Sequence, residues 1–318
     1  MLINLFRTVA LSGLVFFSSV SMAQKVVKLI VPFGPGAVQD TVARTFNNEL
    51  GQLLDASIII ENKAGAGGTI GTNFVAKSNP DGSTLILAAA SHTLAGHLYE
   101  KLPYDPMKDF AAVSLMGYSG YVVAAPSALG ANNLRDYIRI LKAKPKEFNY
   151  ASAGNGSASH LGMASFLAKA GIEMQHIPMK ATGDAVNEVL ANRVQGVTSA
   201  TIGLIGFRQD PRIKLLAYMG KQRSKFLPEI PTVAESGLTG FHFDSWMGLL
   251  GPANMPKSEV DRINRAMIKV LADPVVQERL IKLGLEVQTA SPEEFHQVLL
   301  SDWQNAALIV KSSGAKLE

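Results

Sequence analysis

In the first part of the chain, short apolar runs alternate with segments in which apolar residues recur at helical spacing. Largely apolar runs at residues 26–31, 57–60 and 84–87 predict buried strands. Between the first two runs, Val42, Phe46, Leu50 and Leu53 recur at helical spacing, and the loop Gly65–Gly68 leads into another helical stretch. Strands that alternate with helices predict an α/β fold with a mostly parallel sheet, covered by helices on both faces.

A second alternating series follows a strand at residues 121–124. It predicts helices near 133–142, 158–170 and 184–192, and strands at 148–151, 174–177 and 214–218. Beyond Trp246 come a strand at 247–250 and helical stripes at 260–271 and 295–303. We assign this tail to the first lobe, so that the chain crosses between lobes twice. The predicted domains are residues 24–123 plus 246–318 for lobe 1 and residues 124–245 for lobe 2.

Residues 1–23 have the pattern of a secretory signal peptide. Arg7 precedes the apolar run 9–17, and the segment ends in Ser21-Met22-Ala23. Serines interrupt the run, which is too short for a membrane-spanning helix of roughly 20 apolar residues. We expect cleavage after Ala23 and a periplasmic location, and no cysteine stands there to carry a lipid anchor.

Composition excludes several kinds of site. The chain has no cysteine, which excludes disulfides, thiolate metal sites and thiol catalysis. Its six histidines show no paired spacing typical of a metal site, so no metal or cofactor is expected. Arg7 is the only charged residue of the signal segment, so its removal lowers the formal net charge from +4 to +3. No clustered basic run indicates nucleic-acid binding.

Three polar or Gly-rich loops each join a predicted strand to a helix. They are residues 32–40, 89–93 and 151–160. Ligands of open α/β sheets bind at the carboxyl ends of the strands, and helix N-termini favour anions. These loops therefore predict one anion-binding cleft. Alternatively, Ser91, Ser157 and Ser159 are only helix caps and Asp40 stabilises a first turn.

Enzymatic patterns are absent or incomplete. Residues 65–70 lack the third glycine of a dinucleotide-binding loop, and no P-loop or nucleophile elbow is present. Ser157 and His160 are three residues apart, but no third group is identifiable that would hold the base of a catalytic site. We therefore predict a binding protein that catalyses no reaction. Trp246 either packs between the lobes or forms a wall of the pocket mouth.

The ordered set of motifs resembles the substrate-binding proteins of tripartite tricarboxylate transporters, the Bug family. The matching pieces are Val31-Pro32-Phe33 with Pro35-Gly36 and Asp40, residues 61–68, 80–82, 102–106 with 108–110, 149–157 with His160, 227–235 and Ser245-Trp246. The resemblance implies a two-lobe, type II-like Venus-flytrap fold with the ligand cleft between the lobes. It also implies a monomer that captures a small carboxylate and delivers it to a membrane permease.

The resemblance also implies ligand contacts at matching positions. Phe33, Gly36 and Asp40 shape the first loop, Ser91 contributes a hydroxyl, and the second lobe contributes side chains from the loop that ends at His160. The full set of predicted ligand-binding residues is Phe33, Gly36, Ala37, Val38, Asp40, Ser91, His92, Asn155, Ser157, Ser159, His160, Lys180, Ser199 and Trp246.

The chain departs from the family pattern at three places. Ala37-Val38 replaces a usual Gly-Pro, and Met179, before Lys180 and Ala181, replaces a usual tyrosine. Residues 195–199 lack the two carboxylates that are usual there. An acidic side chain in the pocket suits a ligand ammonium group, so its loss predicts a mono- or dicarboxylate or an aromatic acid without an amino group.

Three other interpretations stay open. In the first, the protein is a sensor that presents its ligand to a receptor kinase. In the second, it is an exported hydrolase that uses Ser157 and His160. In the third, the altered loops abolish carboxylate binding.

Overall fold

The computed structural model describes residues 25–313, so the predicted signal peptide lies outside the described residues. Ten strands are present in this part of the chain: β1 (Lys25–Val31), β2 (Ala56–Asn62), β3 (Thr84–Ala89), β4 (Phe110–Pro126), β5 (Asn149–Ser152), β6 (Gln175–Pro178), β7 (Gly196–Ala200), β8 (Ile213–Tyr218), β9 (Asp244–Pro252) and β10 (Glu286–Val287).

The described residues also form ten α-helices: α1 (Val38–Leu54), α2 (Thr69–Ala76), α3 (Ser91–Leu98), α4 (Leu134–Ala143), α5 (Ala158–Ala170), α6 (Thr182–Leu190), α7 (Thr201–Leu204), α8 (Lys257–Ala272), α9 (Pro274–Lys282) and α10 (Pro292–Ser313). The prediction for residues 158–170 is confirmed to the residue. In α1 the buried stripe ends at Leu54, whereas Leu53 is about half exposed, which corrects the predicted stripe by one position.

The strands form two sheets that share β4. The first has the order β2-β1-β3-β9-β4, with β10 also on β4. The second has the order β4-β7-β5-β6, with β8 also on β4. β4 pairs with β9 as far as Gly120 and with β7 and β8 from Tyr121 onwards. The limits of the two lobes as residue ranges stay a prediction.

The sheets are mixed, which corrects the expectation of a mostly parallel sheet. β1 pairs in parallel with β2 and β3, and β5 does so with β6 and β7. The pairings of β4 and β9 are antiparallel. These two neighbouring strands run in opposite directions because one leads the chain from the first sheet towards the second and the other brings it back.

Helices cover both faces of each sheet, as the alternation predicts. In the first sheet, α1, α8 and α9 pack on one face, and Phe295 and Leu299 of α10 pack on the other. In the second, α4 and α5 lie opposite α6 and α7. α10 contacts both α3 and α5, and its Ala306 and Val310 share a core with the helices of the second sheet. The C-terminal helix therefore packs across both units.

Candidate functional site

A cavity lies where the two sheets meet, and we call it the cleft cavity. Its lining is Phe33, Ala37, Val38, Gln39, Ala89, Ser91, Ser119, Tyr121, Ala153, Ser157, Ala158, Ser159, Thr182, Ser199, Ala200, Ser245 and Met247. The space open to the centres of water-sized molecules is about 30 Å³, which holds on the order of one water. The two sheets are thus closed together around a small space.

Four helices begin at this cavity. α1 begins at Val38, α3 at Ser91, α5 at Ala158 and α6 at Thr182, and each of these residues belongs to the lining. The first N–H groups of a helix have no acceptor within the helix, and the helix dipole adds partial positive charge there. The cavity is therefore surrounded by hydrogen-bond donors that favour an anion.

Three of these four helices lack a side-chain cap. Their N-cap residues are Ala37, Ala90 and Ala181, and none makes a capping hydrogen bond. The fourth, α5, is capped by Ser157, whose Oγ accepts the backbone N–H of His160 at 3.2 Å. The capping interpretation is thus confirmed for Ser157 and wrong for Ser91, which is the first helical residue of α3.

The cavity lining combines hydroxyl-bearing and apolar side chains and contains no charged side chain. Among the described residues that line it, none is Asp, Glu, Lys, Arg or His. Eight lining residues carry a hydroxyl group: Ser91, Ser119, Tyr121, Ser157, Ser159, Thr182, Ser199 and Ser245. Hydroxyl and amide groups can donate to a carboxylate without the desolvation cost of a buried cationic side chain.

Asp40 anchors the loop that precedes α1. Its carboxylate accepts hydrogen bonds from the Gly36 N–H at 2.9 Å, from the guanidinium of Arg44 at 2.9 and 3.1 Å, and from the amide of Asn62 at 3.0 Å. Burial acts to raise the pKa of Asp40, but these hydrogen bonds outweigh it and hold that pKa below its usual value. Gly36 and Asp40 lie outside the lining, and their hydrogen bond fixes the loop that carries Phe33 and Ala37.

The loop before α5 is fixed by hydroxyl groups. Ser159 Oγ accepts the N–H of Ala153 at 3.0 Å and lies 3.0 Å from Ser157 Oγ. Thr198 Oγ1 donates to the Ser159 carbonyl at 2.7 Å. These bonds couple the loop to β7, whose Ser199 lines the cavity at the end of the strand.

The structure places His160 and Asn155 outside the lining. The Nδ1 atom of His160 accepts the Gly156 N–H at 3.2 Å, and its ring stacks on His176. Asn155 is exposed, and its carbonyl lies close to Gly67 of the loop before α2. These two residues therefore support the loop around the cavity and its contact with the first sheet.

Three further predicted residues also lie outside the lining. Lys180 is exposed on the loop before α6. His92 is buried among aromatic rings, with Nε2 2.8 Å from the Pro106 carbonyl, and burial lowers its pKa to about 4. Trp246 packs on Phe295 and donates its indole N–H to Asp302. Trp246 therefore packs in the core of the first sheet, beneath α10, and the packed rings explain why His92 does not reach the cavity.

The geometry does not form a serine–histidine catalytic pair at Ser157. Ser157 Oγ accepts from the backbone of His160, and the His160 Nδ1 atom accepts from Gly156. A different pair, Ser152 Oγ and His176 Nε2, lies at 2.6 Å, but Ser152 is fully buried. A nucleophile needs access to substrate, so neither serine is arranged for catalysis.

Sequence reasoning missed the contribution of β4 and β9. Ser119 and Tyr121 of β4 and Ser245 and Met247 of β9 line the cavity. Each pair is two residues apart, which places both side chains on one face of a strand. Gln39 and Thr182 were also missed, although each stands in the first turn of a helix whose N-terminus meets the cavity.

Residues 25–313 contain neither a metal-ligand cluster nor a helix suited to cross a membrane. No group of three or more His, Cys, Asp or Glu side chains in this range could hold a metal ion. No helix in the same range combines the length and apolar character of a membrane span.

The sequence and the fold are both similar to those of known proteins. Residues 42–314 match the model of the tripartite tricarboxylate transporter family receptor. The periplasmic binding protein BugD has a similar structure, with a TM-score of 0.88 and 31% identity over 93% of this chain and all of that chain.

Two similar structures contain carboxylates. Rpa4515 of R. palustris, solved with adipate, has a TM-score of 0.87 and 26% identity over 92% of this chain and 98% of that one. MatC of Rhodopseudomonas palustris, solved with bound malate, has a TM-score of 0.84 and 28% identity over 90% and 98% of the two chains. The predicted α/β periplasmic-binding-protein fold is thereby confirmed, as is the expectation that the chain is a binding protein and not an enzyme. The chain belongs to the tripartite tricarboxylate transporter receptor family, the Bug-type periplasmic solute-binding proteins.

Proposed function

We propose that the cleft cavity captures a small mono- or dicarboxylate, or an aromatic acid, that carries no ammonium group. The observation that carries this proposal is the convergence of four helix N-termini, three of them without a side-chain cap, on a lining of hydroxyl groups. Uncapped first-turn N–H groups and hydroxyls are donors for a carboxylate, and each such bond to a charged group contributes roughly 1.5–3 kcal/mol.

The absence of carboxylates from the described lining supports the choice against amino acids. A bound ammonium group needs acceptors, preferably charged ones, and helix N-termini repel it. Adipate and malate, the acids in the two structural relatives, have no ammonium group. A ligand of this kind suits the uncharged, donor-rich cavity.

Binding requires the two lobes to move apart and close again. The space in the cavity holds on the order of one water, and a dicarboxylate is larger. Donors for the ligand come from both sides, with α1 and α3 beside the first sheet and α5 and α6 beside the second. A carboxylate between them is therefore bonded to both lobes and stabilises the closed arrangement.

Isothermal titration of the mature chain tests this proposal. The ligands are adipate, malate, succinate and benzoate, with aspartate and glutamate as amino-bearing acids and adipamide as an uncharged control. We expect at least one of the four acids to bind and adipamide not to bind. Tighter binding of aspartate or glutamate than of the deaminated acids would contradict the ligand class, and no binding by any acid would contradict carboxylate capture.

We further propose that the loaded protein delivers its ligand to the membrane permease of a tripartite tricarboxylate transporter, from the periplasm and as a monomer. Membership of the receptor family supports this role. Deletion of the chain's gene should abolish uptake of the bound acid, and the signal-less chain should not restore it. Normal uptake with a lost transcriptional response would favour the sensor alternative instead. Mass spectrometry of the exported protein would test cleavage after Ala23.

A further inference from the structure

Two histidines from different elements stack behind the loop that precedes α5. The rings of His160 on α5 and His176 on β6 have centroids 4.0 Å apart and planes 10° apart. Tyr150 on β5 continues the stack, with its ring 4.9 Å from that of His176. Because three elements contribute one ring each, the plane of the His160 imidazole is fixed by packing.

The His160 imidazole is hydrogen-bonded to the loop, and the His176 imidazole is hydrogen-bonded to Ser152, which in turn binds the loop. His160 Nδ1 accepts the Gly156 N–H at 3.2 Å. His176 Nε2 lies 2.6 Å from Ser152 Oγ, which in turn accepts the Gly154 N–H at 3.1 Å. The loop 153–157 is thereby held at two backbone amides, and its last residue is the N-cap of α5.

This loop and the first turn of α5 carry much of the second sheet's contribution to the cleft cavity. Ala153, Ser157, Ala158 and Ser159 line the cavity, whereas neither histidine does. Gly154 and Gly156 have φ of 109° and 76°, a backbone region that glycine adopts without a steric penalty. Since the glycines do not restrict the backbone themselves, the shape of the loop depends on its hydrogen bonds.

An imidazole can accept the Gly156 N–H only in its neutral form. Burial lowers the pKa of His160 to about 4, and burial followed by the charge of His160 lowers the pKa of His176 to about 3. The titratable group that faces them from β5 is Tyr150, which burial keeps neutral by raising its pKa. Within residues 25–313, no carboxylate or ammonium group contributes to the pKa shift of either imidazole.

We propose that His160 is a positioning residue. Its neutral imidazole, held by stacking on His176, accepts the Gly156 N–H and so fixes the loop that presents Ser157 and the α5 N-terminus to the ligand. This inference rests on the proposed carboxylate site. In this proposal His160 does not contact the ligand directly, as the sequence had indicated, but supports the loop that does.

The test compares His160→Asn with His160→Leu. The Oδ1 atom of Asn can occupy the place of Nδ1 and accept the same N–H, whereas Leu cannot. With adipate as the probe at pH 7.5, we expect the Asn variant to bind within about threefold of wild type and the Leu variant to bind about tenfold or more weakly, which corresponds to about 1.4 kcal/mol. Equal binding by wild type and His160→Leu would overturn the proposal.

Hydrogen exchange of the Gly156 amide provides a readout that needs no ligand. We expect slow exchange in wild type and His160→Asn, and exchange about tenfold or more faster in His160→Leu. His97→Leu is the control: it removes another partly buried histidine with one backbone partner, Trp303, far along the chain from this loop. It should leave Gly156 exchange and adipate binding unchanged.

A titration of wild-type protein covers the case in which His160→Leu does not fold. As the pH falls from 5 towards 3, through the pKa of His160 at about 4, protection of the Gly156 amide should be lost together with protonation of His160, and His160→Asn should keep its protection. Protection that does not follow His160 protonation would overturn the proposal. If wild type binds none of the acids, the proposed function fails, and Gly156 exchange still decides the role of His160.

Discussion

The indole N–H of Trp246 donates a hydrogen bond of 2.8 Å to a carboxylate oxygen of Asp302. The same oxygen accepts the hydroxyl of Thr93. Trp246 lies on β9 between two residues that line the cleft cavity, and Thr93 lies in the first turn of α3, whose N-terminus meets the cavity. One carboxylate of α10 therefore connects the C-terminal helix to two elements that carry the first sheet's half of the site.

Replacing Asp302 with Ala should loosen both elements. The change leaves the buried indole N–H of Trp246 without an acceptor, whereas the Thr93 hydroxyl keeps the Ala90 carbonyl at 2.9 Å. We therefore expect the free energy of unfolding to fall by about 1–3 kcal/mol. Carboxylate affinity should also weaken. Asp302→Asn keeps an acceptor oxygen and should stay within about 1 kcal/mol of wild type. Urea denaturation with tryptophan fluorescence measures the stability, and equal losses in the two variants would contradict the hydrogen-bond account.

The same pair predicts a dependence of stability on pH. Burial raises the pKa of Asp302 above that of the unfolded chain, about 3.9. The folded state therefore binds more protons between those two values, and this residue makes the protein less stable as the pH rises through that window. The Asn side chain of Asp302→Asn cannot ionise. From pH 4 upward, this variant should therefore become increasingly stable relative to wild type, and the difference in unfolding free energy should level off above the folded-state pKa of Asp302.

Asp40 should have the opposite dependence on pH. Its hydrogen bonds hold its pKa below that of an unfolded aspartate, so its stabilising contribution is complete above about pH 4–5 and is lost as the pH falls through the lowered value. Asp40→Ala should cost about 1–3 kcal/mol at pH 7, and less at pH 3. It should also weaken carboxylate binding, because the Gly36 loop loses its anchor.

Asp261→Asn provides the comparison for Asp40. Asp261 pairs with an exposed Lys257 at 3.2 Å, and such a surface pair contributes about 0–1 kcal/mol. Urea denaturation of both variants at pH 7 and pH 3 would separate a buried anchor from a general loss of negative charge. An Asp40→Ala variant that binds carboxylates like wild type would show that the loop holds its shape without this residue.

The sequence was sufficient to predict the alternation of strands and helices because buried apolar runs decide it. α5 shows this well, since a good N-cap at Ser157 defines its first end and Gly171, in the left-handed conformation, defines its second. β4 shows the limit. Its first half contains Ser114, Gly117 and Ser119, so the apolar pattern begins only at Tyr121, although the strand begins at Phe110. Pairing with β9 forms that half of the strand.

The candidate site was predictable where a loop carries turn or capping chemistry. The loops at Phe33–Val38 and around Ser157 could be recognised because glycine and serine precede helices there. Tyr121 and Ser245 could not, since they meet at the cavity only when β4 and β9 lie side by side. His160 was assigned to the ligand because it matches a ligand-contacting position of the family that the sequence resembles. Sequence spacing alone could not show that its Nδ1 accepts from Gly156.

Gly67 should be needed for the two lobes to close. Its φ is 64°, and a Cβ atom at this position would lie 2.6 Å from the carbonyl oxygen of Asn155 and 3.2 Å from the hydroxyl of Tyr99. Asn155 belongs to the loop before α5, so this contact joins the two lobes. Gly67→Ala should force them apart and weaken carboxylate binding by about tenfold or more, and isothermal titration measures the change.

Gly130→Ala is the matched control for Gly67. Gly130 has a similar φ of 78°, but a Cβ atom there would meet nothing within 4 Å. Both variants should lose stability through backbone strain, by about 1–2 kcal/mol, so thermal denaturation should show similar shifts. Only Gly67→Ala should lose affinity. A parallel loss of affinity in both variants would mean that strain, and not the contact with Asn155, is responsible.

Ser199→Asp should shift the ligand preference from acids without an amino group towards amino acids. Ser199 lines the cavity at the end of β7, on the strand where the family pattern usually has carboxylates. At an effective dielectric constant of about 20, two negative charges about 5 Å apart repel by about 3 kcal/mol, so adipate should bind about 100-fold more weakly. Aspartate or glutamate should gain affinity relative to its deaminated analogue, because the new carboxylate can accept from an ammonium group.

The Ser199→Asn variant is the control, because its side chain has the same shape as Asp but is neutral. It should leave the preference of wild type unchanged. A Ser199→Asp variant that discriminates between these ligands as wild type does would show that residue 199 lies too far from the ligand to set specificity, and that the uncharged lining has its effect elsewhere in the cavity.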